Sequence, residues 1–323
     1  MSAGVPGRAV RVELSAVIFA LGVGGSVLAP RVLTPQGPDG PDLPTASFDP
    51  ARHRTLQTAL RDWVSERTGL VLGYVEQLYT FGDPVRSDVG QPHTVSIGYL
   101  ALVAPEAAQG PGWTPWSTWF PWEDCRTGPP ALVAAQILPG LEAWVCGGAG
   151  PGSPAGVVEA RRERIRLLFG TDGLPWRDEL ALERYELLYE ARLVPEAWRD
   201  QGLDQPALPA LGSPAPRDHR RILATGIGRL RGKLKYRPVL FELMGETFTL
   251  LELQRAAEAV SGMPLHKQNF RRMVERSGLI EPTGTTSTRH GGRPAAEYRL
   301  APEATWERRA ASVRFGGARR GAG

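Results

Sequence analysis

Apolar and polar positions change period several times along the chain, and each change marks an element. Residues 10–21 and 26–33 are two nearly continuous apolar runs around Gly22, Gly24 and Gly25, which predicts a buried β-hairpin. After a Pro-rich stretch at 35–50, Leu56, Leu60, Trp63 and Val64 fall at i, i+4, i+7 and i+8, one stripe of an amphipathic helix over 51–68. Gly69 is placed to cap that helix. Residues 74–81 and 93–103 read as strands. Trp113, Trp116, Trp119 and Trp122 then recur every third residue, among prolines that oppose a regular helix. A Gly/Pro/Ser linker at 147–154 precedes two predicted helices, 158–169 and 175–191. The second starts at Pro175 and carries Leu182, Tyr185, Leu188 and Tyr189 on one face. A second Pro-rich linker, 206–216, leads to a predicted helix over 218–236.

The pattern sharpens near the C-terminus. Thr249 with Glu252 forms a capping-box signature ahead of Leu250, Leu253, Ala257 and Val260, and Gly262 closes that helix. Pro264 opens the next helix, 264–277, after the short turn expected of helix-turn-helix. Its spacing puts Phe270, Met273 and Val274 inward, with Lys267, Gln268, Arg271 and Arg272 on the other face and Asn269 at the boundary. Lys and Arg neutralise phosphate, and Arg and Gln suit base edges, so this face points to double-stranded DNA. Strands at 279–282 and 297–300 around Arg289, His290 and Arg293 read as a basic wing.

Charge supports the division. Residues 217–323 carry 21 Lys and Arg against 10 Asp and Glu, a net +11, while the rest of the 323-residue chain carries a net −7. A basic third on an acidic remainder fits a polyanion-binding module attached to another domain. Two cysteines, Cys125 and Cys146, without a CxxC pair suggest neither a zinc site nor a disulfide framework and fit a cytoplasmic protein. Arg8 and Arg11 before the first apolar run also permit a signal-peptide reading, against which Glu13 and the interrupting glycines favour the hairpin. The run is too short and broken for a membrane span.

Several strings carry a resemblance. The string 230–238 (LRGKLKYRP), then 248–254 (FTLLELQ), 269–272 (NFRR) and 292–294 (GRP) with Tyr298, resemble the C-terminal domain of Nudix-related transcriptional regulators. The strings 120–124 (FPWED) and 184–190 (RYELLYE) resemble the branch that regulates NAD biosynthesis in Alphaproteobacteria. The resemblance implies an α+β chain: a degenerate Nudix-like α/β/α sandwich over 1–155, a helical connector over 156–216, a winged helix over 217–302 and a basic tail over 303–323. It also implies a homodimeric repressor of NAD-biosynthesis genes on a palindromic operator, responding to a nucleotide effector such as NAD, ADP-ribose or ATP, with no bound cofactor.

The Nudix motif of active members places glutamates on one helical face to hold Mg²⁺. Anchored on Gly69 and Leu70, that face here offers Trp63, Glu66 and Arg67, with Asp62 at the motif's Arg and Arg54 at its upstream Glu. An indole does not ligate magnesium and a guanidinium repels it, so the motif predicts no catalysis and no metal, beyond a weak residual pair at Asp62 and Glu66. Arg54, Glu66, Arg67 and Trp122 are the candidate effector contacts, Arg67 for a ligand phosphate and Trp122 for stacking. The competing role for the tryptophans is sealing a core, and for Arg67 a surface ion pair. The alternative function is a Mg²⁺-dependent Nudix hydrolase of a nucleoside diphosphate derivative with an accessory winged helix.

Overall fold

The computed structural model describes residues 10–24, 27–37, 40–82, 93–108, 110–147, 155–234, 239–288, 294–302 and 304. In chain order the strands are β1 (Val10–Gly24), β2 (Val27–Leu33), β3 (Gln36–Gly37), β4 (Gly40–Pro41), β5 (Thr45–Ser47), β6 (Tyr74–Phe81), β7 (His93–Leu102), β8 (Trp113–Pro115), β9 (Phe248–Thr249), β10 (Ile280–Ser287) and β11 (Ala295–Leu300). The α-helices are α1 (Leu56–Thr68), α2 (Leu138–Gly147), α3 (Ala155–Phe169), α4 (Ala181–Glu190), α5 (Pro195–Arg199), α6 (His219–Leu234), α7 (Leu250–Ser261) and α8 (Lys267–Arg276).

The main sheet runs β6-β7-β1-β2-β8, with β5 also paired to β1. β1 and β2 form the predicted hairpin, with Leu21 opposite Pro30, and β1 runs parallel to β7 on its other edge. The nearly continuous apolar run of β1 has a physical reason: both its faces are covered. Leu14, Ala16, Ile18 and Ala20 face a core with Ala59, Leu60 and Val64 of α1. Val17, Phe19 and Leu21 face the opposite core with Ile222, Ala224 and Ile227 of α6. The result is an α/β/α sandwich. α1 ends as predicted, with Gly69 in the left-handed region at φ 69°, but begins at Leu56 rather than at residue 51, behind an N-cap, Thr55, that the sequence reading did not single out.

Four further boundaries differ from expectation. The helix predicted from Pro175 begins at Ala181. Residues ahead of it form turns whose Arg177 and Asp178 carbonyls accept hydrogen bonds from the buried Arg184 guanidinium instead of from helical amides. The predicted linker at 206–216 is anchored to the core at its second half, where Leu211 and Ala215 are buried and Ser213 N donates to Thr118 O at 2.8 Å. Gly212 sits there at φ 77°, and a Cβ would meet Trp119 O at 2.4 Å. α6, expected with the winged helix, lies on the sheet; Gly226 lets it approach β1, where a Cβ would meet Val17 at 3.0 Å. The second helix of the turn begins at Lys267 rather than Pro264, because 263–266 form the turn itself.

The winged helix follows on the same core, with β10-β11-β9 as its sheet. No helix among the described residues is long and apolar enough to cross a membrane.

Candidate nucleic-acid interface

Local signals set α7 and α8. Thr249 Oγ1 accepts from Glu252 N at 3.2 Å while Glu252 Oε2 accepts from Thr249 N at 2.6 Å, the predicted capping box. Gly262 caps α7 at φ 70°, its amide donating to Glu258 O. Glu258 Oε1 then accepts from Leu265 N at 3.0 Å, and Gln254 Nε2 donates to Leu265 O at 3.2 Å, so side chains of α7 fix the turn.

α8 buries Phe270 and Val274 and exposes Lys267, Gln268, Asn269 and Arg272. Arg271 is half-buried on the flank, and its Nε has no hydrogen-bond partner. Met273 is the correction on this helix: it is 61% exposed and not part of the core. Its position, about 60° from Phe270 and about 100° from Val274 on the same side, lies outside the narrow apolar seam these two already fill. Arg276 is exposed one turn beyond Arg272 on the same ridge. Spacing from Arg272 would have identified it. The wing is a pair of longer strands than expected, with Thr286 opposite Ala296. Arg289 and Arg293 lie outside the described residues.

The candidate effector residues are not brought together. Arg54, Glu66 and Arg67 are exposed on or beside α1, Trp63 is half-buried against the core, and Asp62 pairs with His53 at 3.7 Å. Arg61, not singled out from sequence, donates to Leu72 O and to Gly73 O at 3.0 Å, and burial lowers its pKa. Trp122 is fully buried, its ring edge-on to Phe120 at 5.7 Å between centroids and the Arg220 guanidinium 5.6 Å from its centre. No ring face is left for a ligand. Trp116 and Trp119 are buried likewise, so the tryptophan repeat seals a core. A cavity of about 1250 Å³ lies between the ends of β1 and β7 and the winged helix, lined by Leu21, Leu102, Glu106, Phe241, Arg255 and Leu300. None of the four candidate effector residues lines it. Among the described residues no cluster of three or more His, Cys, Asp or Glu is placed to hold a metal ion.

A buried ion cluster joins the sandwich to α7, and sequence reading did not single out its members. Glu123 accepts from Arg184 Nε at 2.6 Å and Nη2 at 2.8 Å, and from Arg231 Nη1. Arg231 also donates to Glu123 O at 2.8 Å and to Val260 O, in the last turn of α7, at 2.9 Å. All three side chains are fully buried. Burial alone would raise the Glu123 pKa, but the two guanidiniums outweigh it and hold the carboxyl below its usual range. Cys125 N donates to Gly262 O at 2.7 Å beside them, and a Cβ on Gly262 would meet Glu123 O at 2.2 Å. The strings 120–124, 184–190 and 230–238 that carried the resemblance each contribute one member.

The arrangement is an α/β/α sandwich carrying a helix-turn-helix with a β wing, the two joined by a buried arginine of α6. Residues 240–300 match the family described as the NrtR DNA-binding winged helix domain. The chain is 39% identical over 84 residues to the ADPR responsive transcriptional repressor NtrR of Acinetobacter baylyi, a match spanning 26% of this chain and 33% of that relative. The crystal structure of Shewanella oneidensis NrtR shares the fold at a TM-score of 0.51 and 22% identity, over 91% of this chain and 95% of that one. The same protein complexed with a 27mer DNA matches at 0.50 and 21%, with the same coverage.

Proposed function

We propose that this chain is a DNA-binding transcriptional repressor of NAD-biosynthesis genes, acting in the cytoplasm as a homodimer. Its Nudix-like sandwich serves as a non-catalytic sensor of an ADP-ribose-type nucleotide. The observation that carries the reading is the exposed face of α8, where Gln268, Asn269, Arg272 and Arg276 stand free of the core on a capped helix-turn-helix. The name of the Acinetobacter baylyi relative supports both halves, repressor and ADP-ribose response. The absence of catalysis rests on α1, where Trp63 and Arg67 stand in place of metal-binding glutamates.

Helix α8 enters the major groove and the wing lies on its flank. Effector binding shifts the population between two spacings of the paired recognition helices, and by linkage DNA shifts effector affinity equally. The test is a mobility shift of the full chain on duplexes from upstream regions of NAD-biosynthesis genes, titrated with ADP-ribose, NAD and ATP. Specific retardation that weakens steeply with salt and changes with one nucleotide is the expected result. Salt-insensitive or absent binding overturns the DNA half. Mg²⁺-dependent breakdown of ADP-ribose at enzymatic rates overturns the sensor half in favour of a hydrolase.

A further inference from the structure

We infer that Met273 is a specificity-determining residue of α8, reading the 5-methyl group of thymine in the major groove. The inference rests on the DNA-binding reading above. On a helix of about 100° per residue the outward side chains of α8 form three ridges four residues apart. Lys267, Arg271 and Glu275 make one, Gln268, Arg272 and Arg276 the central one, and Asn269 with Met273 the third. The first two ridges carry charge and hydrogen-bonding groups for phosphates and base edges. The third carries an amide and a thioether.

A thioether gains nothing from phosphate. Among the described residues of the winged helix, 239–302, Met273 is the large apolar side chain left exposed, and it packs against no part of the core. The apolar group that base pairs offer in the major groove is the thymine methyl. Methionine, unbranched and polarizable, adapts to such a shallow contact better than a β-branched side chain. Asn269 stands one turn earlier on the same ridge, about 6 Å along the axis, which corresponds to about two base-pair steps. An amide there suits adenine N6 and N7. The ridge thus presents matched chemistry for A·T pairs, adenine edge by Asn269 and thymine methyl by Met273.

The experiment uses the full chain and a duplex selected from a random pool. Each thymine is replaced singly by deoxyuridine, which removes only the methyl group, and binding is followed by fluorescence anisotropy for wild type, Met273→Ala and Met273→Leu. In wild type one position per half-site loses about fourfold in affinity, the worth of one buried methyl. Met273→Ala abolishes that penalty and leaves other positions unchanged, while Met273→Leu keeps it. Selection of a duplex with every deoxyuridine penalty retained in Met273→Ala overturns this inference alone. Failure to select any duplex overturns the DNA-binding reading and this inference with it.

Discussion

Two groups of arginines occupy this molecule under opposite rules. Arg184, Arg220 and Arg231 are fully buried and bonded to carboxylates and main-chain carbonyls, with Arg220 Nε left without a partner. Arg272 and Arg276 on α8 stand exposed with no hydrogen bond or ion pair among the described residues. A tally of charge counts them alike. Five of the basic residues in the net +11 segment, Arg217, Arg220, Arg221, Arg229 and Arg231, belong to α6 or its entry, and each is paired with an acidic side chain. Basicity in that third therefore overstates what a polyanion meets. The buried group ties core elements together, Arg231 reaching Val260 O of α7, and the exposed group is what the surface of α8 presents.

The largest expected effect comes from breaking the buried side. Glu123→Gln leaves Arg184 and Arg231 as uncompensated buried charges, a loss of about 3–5 kcal/mol. Denaturant titration should show a much lower midpoint, with DNA binding lost through unfolding rather than at the interface. The acid limb carries a second signature. Because the folded-state pKa of Glu123 lies below its ordinary 4.5, its stabilisation is complete above that value and drains away as pH falls toward the lowered one. Stability measured between neutral pH and the acid limb should fall in wild type over that window and be flatter in Glu123→Gln. A variant with a wild-type midpoint would mean the cluster is dispensable.

Breaking the exposed side should cost binding and nothing else. Arg272→Ala removes a central-ridge contact worth on the order of 1–3 kcal/mol of DNA recognition, about 5- to 150-fold in affinity. Its melting temperature should equal wild type, since surface substitutions of this kind stay within about 0.5 kcal/mol. Arg231→Ala, matched in residue type, should do the reverse and melt early. Loss of stability in Arg272→Ala, or of binding alone in Arg231→Ala, would erase the distinction between the groups.

How much of this the sequence exposed depends on how local the physics is. Helix caps and turns were legible because they are local: Thr55 apart, Gly69, Thr249, Glu252 and Gly262 each do what their spacing predicts. The β1–β2 hairpin was legible for the same reason. Burial of charge was not, since Glu123, Arg184 and Arg231 lie 61 and 108 positions apart and meet only in the fold. Those same contacts explain the misplaced start of α4, whose preceding carbonyls are claimed by Arg184. Pro-rich composition misled at 206–216, where Leu211 and Ala215 anchor the segment to the core among exposed or half-buried prolines. Trp122 misled because stacking chemistry and core sealing look identical in one dimension. Met273 misled because the i, i+3, i+4 rule assigns a wider apolar seam than a ten-residue helix on a small domain fills.

The smallest expected effect separates the two groups along one helix. α7 is held at its C-terminus by Arg231 of the buried cluster, through Val260 O, and by Cys125 N, through Gly262 O, and at its N-terminus by the Thr249–Glu252 box. Thr249→Ala removes a cap worth about 1 kcal/mol, and Thr249→Ser should restore most of it because the hydroxyl geometry survives. The lost cap frays the first turn of α7, beside the β9–β11 pairing of Phe248 with Tyr298. Hydrogen exchange should therefore rise at 249–252 and in β11 while the amides of the last turn of α7, anchored by Arg231, stay protected. Equal loosening at both ends would mean that the cluster does not pin α7 independently. The exposed arginines of α8 would then owe their placement to the capping box as much as to the buried ones.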